Sequence, residues 1–198
     1  MFALLQFVIG FQLGYIMCYT NQINPALNAK FGWDDHQATI NESIIGSIAT
    51  VALMISASVS GQIIQRGRRQ ALIISAFVGM LGTGITMIQN FWAIVIGRFI
   101  YGLSVGMIAI AMPRLMEETV PNRLVGLFGS LYCLTFAVAT LIAYALAVFL
   151  PPDEGHDEEL IETHVTQVVF GLPIVFYLIQ LLMQVTYFNQ DSVKFLLL

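Results

Sequence analysis

The sequence predicts an all-α membrane protein of six transmembrane helices. Three observations carry this. Hydrophobic residues make up 58% of the chain and charged residues 10%, against about 25% charged in a soluble domain. Mean hydropathy is +0.80. Runs long enough to cross a bilayer, ~20 apolar residues each, fill most of the sequence. A soluble core at 198 residues could not bury that much apolar surface. The runs are long and do not alternate, so barrel strands of ~10 residues are not indicated. The net charge of −4 gives no basis for binding nucleic acid.

The spans follow in order. Residues 2–22 form the first; no basic segment precedes them, and the apolar run is too long for a cleaved signal peptide. A polar connection with Pro25, Asp34, Asp35 and Glu42 occupies 23–42. The second span, 43–64, leads into a tight basic turn carrying Arg66, Arg68 and Arg69. The third, 70–89, ends at the short turn Gln89-Asn90. The fourth, 92–115, is followed by the charged turn "MEETVPNR" (116–123), which contains Pro121. The fifth, 124–150, runs into the acidic loop "PPDEGHDEELIETH" (151–164), and the sixth is 166–188. Together they make one six-helix transmembrane domain.

Charge sets the orientation. Arg66, Arg68, Arg69, Arg114, Arg123 and Lys194 fall on one side of a six-span topology, with only Lys30 opposite. The positive-inside rule places the arginine side and both termini in the cytosol or its equivalent, with the acidic loops outward. Asn41-Glu42-Ser43 is a formal glycosylation sequon, but it lies against the start of helix 2, and chance is its better explanation. Cys18 and Cys133 lie in apolar runs and read as small core residues. His36, His156 and His164 are in loops, and a solvated acidic loop explains the last two better than a metal site, which needs three or four ligands in fixed geometry. No nucleophile–base pair or phosphate loop is present, so neither an enzyme nor a cofactor is expected. "GTG" (82–84) lies within helix 3 as packing glycine.

Two motifs point further. "GQIIQRGRR" resembles the loop between helices 2 and 3 of the major facilitator superfamily, with Gly61, Arg66, Gly67, Arg68 and Arg69 matching and the usual Asp replaced by Gln65 or Ile64. "GRFIYGLSVGMIAIAMPRLMEETVPNRLVG" (97–126) is similar to the helix 4 to helix 5 segment of the sugar porter family. Gly97, Arg98, Gly102, Gly106, Pro113, Glu118, Pro121 and Gly126 keep both type and spacing, and Val125 stands where that pattern has Arg. "FQLGYIMCYTNQINPAL" is similar to the family's helix 1 at Gln12, Gly14, Tyr15 and Asn21, and "QDSVKFLLL" to the stretch after helix 6. The resemblance covers nearly the whole chain and implies the N-terminal six-helix half of a sugar porter. The small residues agree with this, since helices in lipid approach closely through them. Gly102 and Gly106 form one such step, and Ala57 and Gly61 form another on helix 2.

The resemblance also implies roles. Arg66, Arg68 and Arg69 are expected to form a conformational latch with Glu118. The other motif positions, Gly61, Gly67, Gly97, Gly102, Gly106, Pro113, Pro121 and Gly126, are expected to shape helix packing. Proton-coupled members carry an Asp after the Gly-Tyr of helix 1, facing the Arg of helix 4. Here that position is Ile16, so Arg98 loses its partner and is expected to snorkel outward. The sugar-contacting Gln of helix 5 falls at Cys133. Candidate substrate residues are Gln12, Asn21, Cys133, Gln180 and Gln184; Tyr15 and Gln62 also offer polar groups. Gln180 and Gln184 share a helix face, either lining a cavity or bonding between helices.

Two functions follow as expectations. One is transport of a sugar or other small polar solute, without proton coupling, by this half within a longer or paired carrier. The other is a non-transporting, transporter-derived subunit of a larger membrane complex. The partners are the lipid bilayer and a second six-helix half or other membrane subunits, with a sugar as the cargo. The sequence is compatible with the plasma membrane or an organelle, the mitochondrial inner membrane included.

Overall fold

A computed structural model describes residues 1–65, 67–88, 90–147 and 165–187. Six helices are present among the described residues: α1 (Phe2–Phe31), α2 (Asp35–Ile64), α3 (Arg68–Thr86), α4 (Phe91–Thr119), α5 (Asn122–Ala147) and α6 (Val165–Thr186). Each contains a stretch long and apolar enough to cross a membrane.

The first connection differs from the sequence reading. Residues 23–42 are largely helical, and only Gly32, Trp33 and Asp34 interrupt them. Pro25 removes one N–H from the ladder, yet α1 continues past it for six residues. The terminator is Gly32, left-handed at φ 60°, whose N–H donates to the Asn28 carbonyl at 2.9 Å. Asp34 then occupies the N-cap position of α2 in extended conformation. The sequon at Asn41 therefore lies inside a helix, where the extended acceptor loop it needs is not available. At the other end, Val120 precedes Pro121 and is extended (φ −92°, ψ 138°), which stops α4. Gly67, at φ 148°, makes the turn into α3.

The pairing of helices has an internal order. α4 packs between α2 and α3, and α1 packs between α5 and α6. α3 against α6 and α1 against α4 join the two groups. Exchanging α1 with α4, α2 with α5 and α3 with α6 leaves these pairings unchanged. This is the pattern of two three-helix repeats about a pseudo-two-fold axis.

Small residues make the close approaches. A Cβ at Gly102 would fall on the Ala49 carbonyl oxygen and 2.8 Å from the Ala52 Cβ; one at Gly106 would lie 2.5 Å from the Leu53 oxygen. On the equivalent helix of the other repeat, Gly10 and Gly14 have the same four-residue spacing. A Cβ at Gly14 would lie 2.6 Å from the Phe136 oxygen on α5. Gly97 and Gly82 face each other between α4 and α3. Pro113 is half-buried within α4.

Other packing expectations fail within this chain. Gly61 and Gly126 are exposed, and a Cβ on either would meet nothing within 4 Å. The small face of α2 is instead Ala49, Ala52, Ser56 and Ser60, one helical turn apart in register with α4. A Cβ at Gly84 would likewise meet nothing within 4 Å, so of the two glycines in the "GTG" stretch Gly82 is the one that packs, beside the buried Thr83. Pro121 is exposed and acts on the backbone as a helix stop.

Candidate functional site

A polar seam crosses the apolar interior. Gln12 on α1 donates to Gln180 Oε1 on α6 at 2.9 Å, and Gln180 Nε2 donates to the Leu72 carbonyl on α3 at 2.9 Å. Both glutamines are 0% exposed. The Tyr101 hydroxyl of α4 donates to the Gln12 carbonyl at 3.3 Å. Ser104 donates its single proton to the Ser75 carbonyl at 2.6 Å, so the Tyr177 hydroxyl, 2.8 Å away, is the donor to Ser104. Gly79 makes room for the Tyr177 ring, which would overlap any Cβ there. The seam thus ties α1, α3, α4 and α6 together.

Gln12 and Gln180 are therefore brought together, in the interhelical arrangement rather than facing an opening. The Gln12 Oε1 and both amide atoms of Gln184 have no hydrogen-bond partner among the described residues. Gln184 is buried one turn beyond Gln180. Asn21 and Cys133 are exposed and join neither glutamine; Gln62 is exposed as well. Tyr15 is buried and donates to the Val169 carbonyl at 2.9 Å. The same face of α1 carries a ladder of rings, with Phe11 stacked on Phe176 at 3.9 Å and Tyr15 on Tyr19 at 5.1 Å.

Arg98 corrects the sequence expectation. It is only 2% exposed and does not reach outward. Its side chain turns to α1, where Nη2 donates to the Ile16 carbonyl at 3.4 Å and the guanidinium lies 5.1 Å from the Tyr19 ring centre. The contact of α1 with α4 closes over it, and the aromatic face attracts the cation. A desolvated cation–π contact is worth about 2 kcal/mol. A buried charge stripped of its partner costs about 3–5 kcal/mol. The ring and one long hydrogen bond therefore offset only part of the burial. Nε and Nη1 have no acceptor among the described residues.

The charged turns do meet. Arg68 Nη2 lies 2.7 Å from Glu118 Oε1, and Arg68 Nε donates to the same oxygen at 2.9 Å. The side chains are 12% and 18% exposed. Arg69 turns elsewhere, with Nε donating to the Gln184 carbonyl on α6 at 3.4 Å. Arg66 lies outside the described residues, as do His156, His164 and the segment after 187. Each member of the Arg68–Glu118 pair sits at the unfavourable end of its own helix: a cation at the N-terminus of α3 and an anion at the C-terminus of α4. That offsets the ion-pair gain, itself about 0–1 kcal/mol when partly exposed. Exchanging the charges, Arg68→Glu with Glu118→Arg, is expected to keep the pair and add favourable dipole terms of about 0.3–1 kcal/mol each. Thermal melts should show the exchange at least as stable as the native pair, and Glu118→Arg alone less stable than either.

No group of three or more His, Cys, Asp or Glu residues is placed to hold a metal among the described residues. Sequence reasoning missed Ser75, Ser104, Tyr177 and Gly79. Two serines inside apolar spans and an isolated glycine were the available signals.

Comparison with known proteins agrees with this architecture. The chain is 29% identical over 143 residues to Sugar transporter ERD6-like 6 of Arabidopsis thaliana, covering 71% of this chain and 28% of that protein. It is 28% identical over 149 residues to the human solute carrier family 2, facilitated glucose transporter member 6, covering 73% and 29%. Among solved structures, a D-xylose-proton symporter superposes with a TM-score of 0.83 at 18% identity, over 99% of this chain and 49% of that one. The inward-open xylose transporter XylE from E. coli gives 0.82 at 19%, with the same coverage. The chain thus spans about half the length of the solved structures and less than a third of these two curated relatives. The family described as "Sugar (and other) transporter" matches residues 1–198, and the chain belongs to it.

Proposed function

We propose that this chain is one half of a carrier for a sugar or another small polar solute, working with a second six-helix half. The observation that carries the reading is the family match along the whole of residues 1–198. The geometry supports it at the arginine end. Arg68 and Glu118 clamp α3 to α4 with little net stabilisation, which suits a contact that must break and re-form as a carrier rocks. By the positive-inside rule that end faces the cytosol. Asn21 and Cys133, exposed here, remain candidate contacts to cargo, and the unpartnered amide of Gln184 is the candidate interior donor.

One observation favours a second reading, a non-transporting subunit of a larger membrane complex. Gln12 and Gln180 bond to each other at 2.9 Å rather than standing free for a ligand. Exchange of labelled hexose across proteoliposomes separates the two readings. Co-reconstitution of the chain with a second six-helix half should give exchange that neither part gives alone. Absence of exchange, with recovery of the chain in fixed ratio to other membrane subunits, would favour the subunit.

A further inference from the structure

We infer that Arg98 is the anchor of a binding site for a small monovalent anion, located where α1 crosses α4. The site is built from residues of this chain alone, and the inference stands whether or not the chain transports. A guanidinium carries five N–H donors and stays charged at any physiological pH. Only Nη2 meets a protein acceptor, the Ile16 carbonyl at 3.4 Å, while Nε and Nη1 meet none among the described residues. Among the described residues the guanidinium meets the Ile16 carbonyl and the Tyr19 ring, neither of which is a carboxylate. The described carboxylates are Asp34, Asp35, Glu42, Glu117 and Glu118; none is fully buried, Asn28 donates to Glu42, and Glu118 is held by Arg68.

A buried cation of this kind is kept in one place only if something of opposite charge accompanies it. The donors left over set the chemistry of that companion. A compact monovalent anion, a halide or a carboxylate, can accept from two N–H groups of one guanidinium. A doubly charged anion would leave excess negative charge buried in an apolar site. The companion has two sources of the same chemistry: a free inorganic ion, or the carboxylate of a sugar acid carried as cargo.

The test is thermal melting of the whole chain in lipid nanodiscs, with sulfate replaced stepwise by chloride, nitrate or D-glucuronate at constant sodium. A monovalent anion should raise the melting temperature saturably, by about 5–10 °C at 100 times its dissociation constant. Chloride and glucuronate acting alike would mark a general anion site, whereas glucuronate alone would mark a sugar-acid cargo; either result supports the site. Arg98→Gln should lose the response. Ile16→Asp provides the decisive arm, because it introduces a carboxylate at the residue whose carbonyl the guanidinium already meets. That variant should melt as high without added anion as the anion-saturated native chain, and should gain nothing further from chloride or glucuronate. Equal melting of the native chain in sulfate and in every monovalent anion would overturn the inference. So would an Ile16→Asp variant that responds as the native chain does.

Discussion

Replacing Gly102 with Leu is expected to remove most of the folded protein. The glycine lies where the backbones of α4 and α2 touch, and a Cβ there would clash with the Ala49 carbonyl oxygen and press on the Ala52 Cβ at 2.8 Å. Neither is the free end of a flexible side chain. The only relief is to move α2 away from α4, which also breaks the Ser56 hydroxyl bond to the Leu103 carbonyl. Overpacking in a close-packed interior costs about 1–3 kcal/mol when side chains can shift, and more when they cannot. In lipid the loss is not restored by a hydrophobic drive, because helix association there rests on packing and hydrogen bonds. Gly61→Leu is the control, since that position faces open space. Size-exclusion profiles and melts of the two variants should differ sharply. Equal melting would mean that the α2–α4 contact does not hold the bundle.

The same pair of glycines shows what the sequence made legible. Gly102 and Gly106 could be read as a packing step because their spacing puts them on one face of a long apolar run. Gly61 and Gly126 belonged to the same family pattern, but a Cβ on either would meet nothing within 4 Å among the described residues. A motif records what a position needs in a whole carrier, so it cannot say which contact lies within one half. Gly10 and Gly14 have the four-residue spacing of Gly102 and Gly106 and were passed over, because the pseudo-symmetry that pairs the two steps shows only once the helices are assembled. Six spans and their order were open to reading because ~20 apolar residues cross a bilayer. The extension of α1 to Phe31 was not, since polar residues and Pro25 there look like a loop until Gly32 is seen to provide the cap.

The site was legible in its charges more than in its amides. Arg68 meeting Glu118 followed from the resemblance, whose matching motif positions fall on the same side of a six-span chain. The fate of Arg98 did not follow, since a long side chain near a helix end can turn to the interface or to a neighbour, and the choice depends on how closely α1 crosses α4. Gln180 could be placed on a face but not paired, because its partner, Gln12, is 168 residues away in sequence.

Proteoliposomes carrying this chain alone are expected to show no accumulation of sugar driven by a proton gradient. Coupling requires a group inside the membrane that takes up and releases a proton near neutral pH. Resemblance to proton-coupled sugar porters puts that group at Ile16, which is apolar, cannot titrate, and is buried in the α1 core. The Arg98 guanidinium meets the Ile16 carbonyl, and a guanidinium keeps its proton and cannot alternate between states. The seam that crosses the bundle, Gln12, Gln180, Ser104 and Tyr177, is made of amides and hydroxyls, which do not exchange protons near neutrality. His36 is exposed in the first turn of α2, outside the apolar interior. None of the described carboxylates is fully buried as the seam residues are, and Glu118 is occupied by Arg68. The check is uptake of labelled sugar against its gradient, with and without a protonophore. Protonophore-sensitive accumulation would mean that some other group in this chain couples protons. Downhill exchange insensitive to the protonophore would agree with the chemistry of the seam, and would make Gln180 and Gln184 the first residues to replace. An Ile16→Asp substitution then asks the converse question, because it restores a titratable group beside Arg98, where a proton could be bound in one state and released in the other.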